Sequence, residues 1–341
     1  MTATPTPTAG NPRRLLVTGG AGYVGSVVTA HLLDAGHRVT VLDDLSTGHR
    51  ESVPAGADFV HGRVQDTTAD LLDPGYDAVL HFAASSQVGE SVSDPEKYWR
   101  NNVGGSIELL TALRAAGVRT LVFSSTAATY GEPRTVPVTE DEPTLPTNPY
   151  GATKLAVDHM IGAECAAHGL AAVSLRYFNV AGAHTAADGT TYGERHDPES
   201  HLIPLVLQVA RGRRDAINVY GDDYPTADGT CVRDYIHVAD LADAHLLALG
   251  AARPGEHLVC NLGNGNGFTV QDVIRTVRDV TGHPVPQITA PRRTGDPAVL
   301  VAAADRARDR LGWRPTRTDL ASIVRDAWNF EQSKHPAQQA R

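Results

Sequence analysis

Lysine is nearly absent from this 341-residue chain: of 30 basic residues only Lys97, Lys154 and Lys334 are lysine, and the other 27 are arginine. A lysine at a telling spacing therefore carries more information than usual. Cysteine is equally scarce, and Cys165, Cys231 and Cys260 lie far apart with no CxxC pair, which excludes a disulfide framework or zinc ribbon and fits a reducing, cytoplasmic setting. No apolar run approaches the ~18 residues of a membrane span. Basic charge is not in excess either. With a net charge of −9 the chain will not coat nucleic acid or an anionic membrane, so phosphate recognition must come from local sites. Residues 1–12 are rich in Thr, Pro and Ala without the basic-then-apolar order of a signal peptide, and are expected to be a disordered tail; Gln332–Arg341 is expected to be a polar one.

What is present is alternation. Short apolar runs at Arg14–Thr18, Arg38–Leu42, Ala78–Phe82, Arg119–Ser124 and Ala171–Tyr177 read as buried strands. Helical stretches stand between them at Gly22–Ala35, Pro95–Ala116 and Tyr150–Ala167, with Asp94 and Pro95 as a start signal. Near-continuous apolar strands alternating with helices predict an α/β fold, a doubly wound parallel sheet with helices on both faces. After Asn179 the rhythm breaks into a polar loop, Ala183–Ser200, and then short elements including strands Ile217–Tyr220 and Val299–Ala303 and helices Ala239–Leu249, Val270–Val280 and Leu320–Phe330. The expectation is a dinucleotide-binding domain over 13–180, rejoined by about 235–263, and a smaller mixed lobe from 181–234 and 264–331. That lobe closes over a ligand at the carboxyl ends of the strands.

Directly after the first strand comes Gly19-x-x-Gly22-x-x-Gly25, in the strand–turn–helix context that lets backbone amides meet a pyrophosphate. Asp43 closes the second strand, where a carboxylate accepts from an adenosine ribose diol and disfavours a 2′-phosphate, so NAD is expected over NADP; its neighbour Asp44 suits a turn equally well. Tyr150-x-x-x-Lys154 puts a phenol and an ammonium on one helix face, a pairing expected by chance about 0.1 times in a chain with ten tyrosines and three lysines. A phenol with an ordinary pKa near ~10 is a poor base at neutral pH, and a neighbouring ammonium plus a cationic nicotinamide would lower it. Ser124-Ser125-Thr126 leaves the end of a strand, where Thr126 can share a substrate hydroxyl proton with Tyr150 or simply cap a turn.

Together with Arg176-Tyr177-Phe178-Asn179, these motifs resemble the extended short-chain dehydrogenase/reductase superfamily. His81-Phe82-Ala83-Ala84, Val88-Gly89-Glu90-Ser91, Gly221-Asp222-Asp223-Tyr224-Pro225-Thr226 and Val232-Arg233-Asp234-Tyr235-Ile236-His237-Val238 resemble its UDP-glucose 4-epimerase family, over about Leu15 to Trp313. The resemblance implies NAD-dependent interconversion of UDP-glucose and UDP-galactose through oxidation at C4, rotation of a 4-keto sugar and re-reduction. Tyr150 is implied as base, Thr126 as its partner, and Lys154 as holding the nicotinamide ribose. Tyr23, Val24, Asp44, Val64, Phe82, Ala83, Ala84, Asn102, Ser124 and Tyr177 join the glycines and Asp43 around NAD. Asn179, His201, Leu202, Asn218, Tyr220, Arg233, Arg293, Asp296 and Leu300 are implied to hold the UDP-sugar, in a homodimer joined through the Pro95–Ala116 and Tyr150–Ala167 helices.

Departures from the family pattern are Arg63 in place of an adenine-binding acid, Ser86 in place of a diphosphate-binding lysine, and His201 in place of a uridine-binding asparagine. The first two are expected to loosen NAD. Leu300 occupies the position of a tyrosine that restricts relatives to glucose. A 4-epimerase acting on an N-acetylhexosamine, glucuronate or pentose shares this chemistry. A 4,6-dehydratase needs an acid where this chain has Ala127-Ala128, and a non-catalytic NAD-sensing protein would not need Thr126, Tyr150 and Lys154. His196 and His201 flank Asp197 and Glu199, but the hydride chemistry needs no metal and none is expected.

Overall fold

The computed structural model describes residues 11–293 and 296–334. The two tail expectations therefore lie largely outside the described residues, although the last helix, Leu320–Lys334, runs through positions 332–334, where the sequence predicts a polar tail.

A seven-stranded parallel sheet organises the first half of the chain. Its strands are β1 (Arg14–Thr18), β2 (Arg38–Asp43), β3 (Asp58–His61), β4 (Ala78–His81), β5 (Thr120–Thr126), β6 (Ala171–Tyr177) and a late strand, His257–Leu262. The late strand lies beside β6, followed in space by β5, β4, β1, β2 and β3. Successive side chains of a strand point to opposite faces. In β1, Leu15 and Val17 enter the apolar layer shared with Val27, Leu32 and Leu241, while Leu16 enters the opposite layer with Leu109, Leu113, Val157 and Ile161. Both faces are thus covered by helices, which is why the strands read as unbroken apolar runs.

The long helix Pro149–His168 has clear limits. Asn148 caps it by accepting from the Gly151 amide at 2.9 Å, Pro149 occupies the first turn, and Gly169 ends it at φ +71°. The expected helix Pro95–Ala116 is interrupted: it runs as Pro95–Tyr98, a π-helical turn Trp99–Gly104 and Gly105–Ala116.

The second lobe is built on small sheets. Strand Val232–His237 pairs with Asn179–Ala181 in parallel, and at its other end with Gly267–Thr269 and Val299–Leu300. Ile217–Tyr220 pairs with Gln287–Ala290. The strand expected over Val299–Ala303 is only two residues long, because Ala302 turns away to a bridge with Val138. The chain returns to the large sheet with helix Val238–Ala251, whose Leu241, Ala244 and Ala248 join the β1 layer. Among the described residues no helix is long and apolar enough to cross a membrane.

Candidate active site

The glycine turn is shaped by close approach. Gly19 has φ +75°, and a Cβ there would stand 2.5 Å from the Ala83 amide nitrogen; a Cβ on Gly25 would stand 2.2 Å from the Gly19 carbonyl oxygen. Both positions are closed by the protein itself. Gly22 differs: a Cβ there would meet only the Gly19 oxygen, at 3.4 Å, so the space in front of it is open. Gly22 is also the N-cap of helix Tyr23–Asp34, and no side chain caps that helix. Its first amides, at Tyr23 and Val24, are left to an anion.

Asp43 is buried at the end of β2. It accepts from the Ala21 amide at 3.0 Å and the Leu45 amide at 2.9 Å, which ties the glycine turn to the neighbouring loop and leaves further lone pairs for a diol. Burial raises its pKa, against these hydrogen bonds. Asp44 accepts from the Ser46 amide at 2.9 Å and shapes the turn. Val64 is buried at the start of helix Val64–Leu71, whereas Arg63 stands exposed before it, 4.0 Å from Asp66.

The loop after β4 is held from both sides. The amides of Phe82 and Ala83 donate to the Thr18 carbonyl at 2.9 and 3.1 Å. Asn102, buried in the π turn, accepts from the Ser85 amide at 2.8 Å and donates to the Ser85 carbonyl at 3.0 Å and to Thr153 Oγ1 at 3.1 Å. Asn102 thus links the Ala83–Ala84–Ser85 stretch to the helix that carries Tyr150. His81 Nδ1 lies 2.6 Å from Thr18 Oγ1, and burial drives its pKa down to about 3, so it is a neutral structural imidazole.

The candidate catalytic side chains assemble at the carboxyl end of β5. Lys154, 3% exposed, donates through Nζ to the Ser124 carbonyl at 2.7 Å and lies 4.8 Å from the centre of the Phe123 ring. Burial lowers its pKa to about 8, with Asp158 opposing. The Ser124 hydroxyl and the Tyr177 hydroxyl share a short hydrogen bond. Tyr150 sits edge-on to Tyr98 and hydrogen-bonds with Thr126, whose Oγ1 also accepts from the Ala128 amide at 3.2 Å. The Tyr150 pKa is raised rather than lowered, because burial outweighs the Thr126 bond. The sequence expectation of a lowered phenol pKa depended on a bound nicotinamide cation as well as the lysine; in the protein alone, Lys154 is engaged with Ser124.

Behind this row stands a buried network that spacing alone did not reveal. Asp158 Oδ2 accepts from Ser125 Oγ at 3.1 Å and from Arg176 at 3.1 and 2.9 Å. Arg176 also donates to the Tyr130 hydroxyl at 3.1 Å, which donates to Asn261 at 2.7 Å. The available signal was position: Asp158 is one further turn along from Lys154 on the same helix face.

The second lobe brings together most of the remaining predicted residues. Strand pairing sets Tyr235 beside Asn179 and Arg233 beside Leu300. Arg233 forms a close ion pair with Asp296, and Arg293 stacks on Tyr220 at 4.0 Å, with Asn218 hydrogen-bonded to the same phenol. Leu300 packs with Ala127, Tyr130, Val138 and Phe178, so it abuts the turn that follows Thr126 and does not point into the main core. Arg292 pairs with exposed Asp223 at 2.6 Å, a surface contact. Leu202 opens helix Leu202–Ala210, but His201 before it turns its Nδ1 to Glu194.

Residues 15–263 match the NAD dependent epimerase/dehydratase family. The chain is 66% identical over 330 residues to a UDP-glucose 4-epimerase of Streptomyces lividans, covering 95% of this chain and 97% of that one. It is similar to the crystal structure of UDP-glucose 4-epimerase from Brucella ovis in complex with NAD, with TM-score 0.88 and 46% identity over 93% of this chain and 98% of that one. The enzyme from Stenotrophomonas maltophila, solved with bound NAD and formylated UDP-arabinopyranose, gives TM-score 0.88 and 41% identity over 94% and 98%. The chain belongs to the NAD-dependent epimerase/dehydratase family.

Proposed function

We propose that this protein interconverts UDP-glucose and UDP-galactose by oxidation and re-reduction at C4 of the sugar. The observation that carries this reading is the Thr126–Tyr150–Lys154 arrangement at the end of β5. Tyr150 takes the proton of the 4-hydroxyl, directly or through Thr126, and returns it. Lys154 keeps a compact ammonium within the same helix turn, where it stabilises the phenolate once a ligand draws it from Ser124.

The open space before Gly22 and the uncapped amides of Tyr23 and Val24 fit a dinucleotide diphosphate. Gly19 and Gly25 let the turn close tightly behind that space, Asp43 receives the adenosine ribose, and Asp44, Val64, Phe82, Ala83, Ala84, Asn102, Ser124 and Tyr177 shape the rest of the NAD site. When bound, NAD supplies the acceptor and donor of the C4 hydride.

Turning the sugar over requires a firm grip on UDP and a loose one on the hexose. Arg233 and Arg293 offer charge-assisted contacts to the diphosphate, and Asn179, Leu202, Asn218, Tyr220 and Asp296 frame the nucleoside. His201 can reach uridine only with the part of its ring that does not face Glu194. Ala127 and Ala128 present no acid beside Thr126, which favours epimerisation over dehydration. The domain division expected from sequence stands as part of this reading, with the return to the NAD lobe at Val238 rather than 235. Exposed Val88, Val92, Trp99 and Ile107 on the helices between 88 and 116 support a homodimer through that face. Three free cysteines support a cytoplasmic setting.

The test is to add UDP-galactose to purified protein without added NAD and follow UDP-glucose by chromatography. Formation of UDP-glucose is the expected result. No conversion even with NAD supplied would overturn the reading.

A further inference from the structure

One cluster of ligand-type side chains is used by neither the hydride chemistry nor the diphosphate contacts. The segment between strand Thr191–Gly193 and helix Leu202–Ala210 folds back on itself, so that one ligand atom from each of Glu194, His196, Glu199 and His201 lies within 4.8 Å of the others. The fourth member is Glu194, not the Asp197 that the sequence set between the two histidines.

The geometry points inward. His196 Nδ1 stands 3.3 Å from Glu194 Oε1 and 3.5 Å from Glu199 Oε1, and His201 Nδ1 closes on the same Glu194 oxygen. Four atoms placed tetrahedrally around zinc at about 2.0–2.2 Å are about 3.3–3.6 Å apart, which is the range of both His196 separations, whereas His201 hydrogen-bonds directly to Glu194 and must swing aside to admit an ion. The two imidazoles stand at 88° with centroids 5.2 Å apart, so their Nδ1 atoms converge without the rings stacking. His196 Nδ1 is withdrawn from water and makes no hydrogen bond of acceptable geometry.

Charge agrees with geometry. Two carboxylates, each only 6% exposed, already face two imidazoles, and a divalent ion would take over the compensation that those rings provide. Glu199 Oε1 is fixed by the amides of Ser200 and His201 at 2.8 and 2.9 Å, the kind of outer hydrogen bonding that orients a ligand. The donors are two imidazoles and two carboxylates with no thiolate. That set suits zinc, whereas magnesium and calcium favour oxygen alone. His201, 54% exposed, leaves an entry path.

We propose that Glu194, His196, Glu199 and His201 bind a zinc ion that fastens residues 194–201 to the start of helix Leu202–Ala210. The ion would sit beside Tyr23, which feels both Glu194 and Glu199 and donates its hydroxyl to the Gly182 carbonyl at 2.7 Å. It would thus join the glycine-turn helix to the lobe that carries Leu202, without entering the reaction.

The experiment is elemental analysis of protein carrying no histidine tag, grown with zinc and dialysed without chelator. About one zinc per chain is expected. Chelator-stripped protein titrated with zinc chloride should gain several degrees in Tm, and magnesium chloride should give no such gain. Glu194→Gln and His196→Gln should each lower zinc content at least about tenfold. Wild-type protein that purifies metal-free and shows no Tm response to zinc would overturn the site, as would variants that retain zinc fully. Epimerisation assayed on wild-type protein with NAD supplied tests the proposed activity separately, since its hydride step rests on Thr126, Tyr150 and Lys154, none of which is a ligand of this ion, although His201 also belongs to the proposed uridine contacts.

Discussion

Asp158 offers a sharp test of how the active site is supported. Its Oδ2 atom accepts three hydrogen bonds, one from Ser125 and two from Arg176, and the ion pair is almost wholly out of water, with Arg176 8% and Asp158 3% exposed. Asp158→Asn keeps the volume and an oxygen that can accept from Arg176, which also donates to the Tyr130 hydroxyl, but removes the negative charge that balances the buried guanidinium. Breaking one side of a buried pair costs about 3–5 kcal/mol, because the surviving charge stays buried without its counterpart. For a protein of this size that corresponds to a fall in Tm of about 4–7 °C. Replacing Arg176 with Met in the same chain removes the orphaned charge, so the double variant should recover more than half of the loss. Thermal unfolding followed by circular dichroism measures both. Activity adds a second readout. Asp158 raises the pKa of Lys154, which stands at about 8, and without that carboxylate Lys154 gives up its proton at lower pH. The alkaline limb of the pH–rate profile should therefore move downward in pH. A single variant within about 1 kcal/mol of wild type, or strictly additive losses in the double variant, would refute the argument.

Tyr150→Phe should leave folding and NAD binding intact and lower turnover about 10²–10⁴-fold, measured with UDP-galactose; Lys154→Arg should also be damaging, because a planar fork cannot replace an ammonium seated 2.7 Å from the Ser124 carbonyl. With exposed Arg63 and Ser86 in place of cofactor-holding residues, part of the purified protein should lack NAD and gain activity when NAD is added; stoichiometric, inexchangeable NAD by absorbance and mass spectrometry would refute this. Leu300, packed against Ala127 beside the catalytic turn, should permit weak turnover of UDP-N-acetylgalactosamine, and Leu300→Tyr should abolish it while sparing UDP-galactose; competition kinetics decides.

Much of the fold was legible because buried parallel strands are written as local apolar runs. The runs at Arg14, Arg38, Ala78, Arg119 and Ala171 all became strands, the first and last at the expected bounds and the other three with ends shifted by a residue or two. β3 was not singled out as a strand because Asp58–His61 is short, at the sheet edge and only partly covered. The π turn at Trp99–Gly104 follows from packing Asn102 against Ser85 and Thr153, a tertiary demand with no signature in periodicity. At the candidate site, residues one helix turn apart or next to a glycine turn could be proposed from local spacing alone. Residues that meet only through tertiary folding were harder. Asp158 with Arg176, and Glu194 with the two histidines, come together only when distant or looping segments fold back. Leu300 was placed correctly as an apolar residue, but its direction depended on Ala302 leaving the strand for Val138.

The late strand His257–Leu262 has a consequence for how the molecule is made. It pairs with β6 from Ala172 to Tyr177, so the strand that carries Arg176 and Tyr177 is an open edge until residue 262 has left the ribosome. At about 5–20 residues per second, that edge is exposed for several seconds after β6 itself has emerged. A fragment ending at 180 would present unpaired backbone and the apolar faces of Val173 and Leu175, and should associate through that edge rather than fold as an independent cofactor-binding unit. Vectorial synthesis here cannot complete the first half before most of the second half exists.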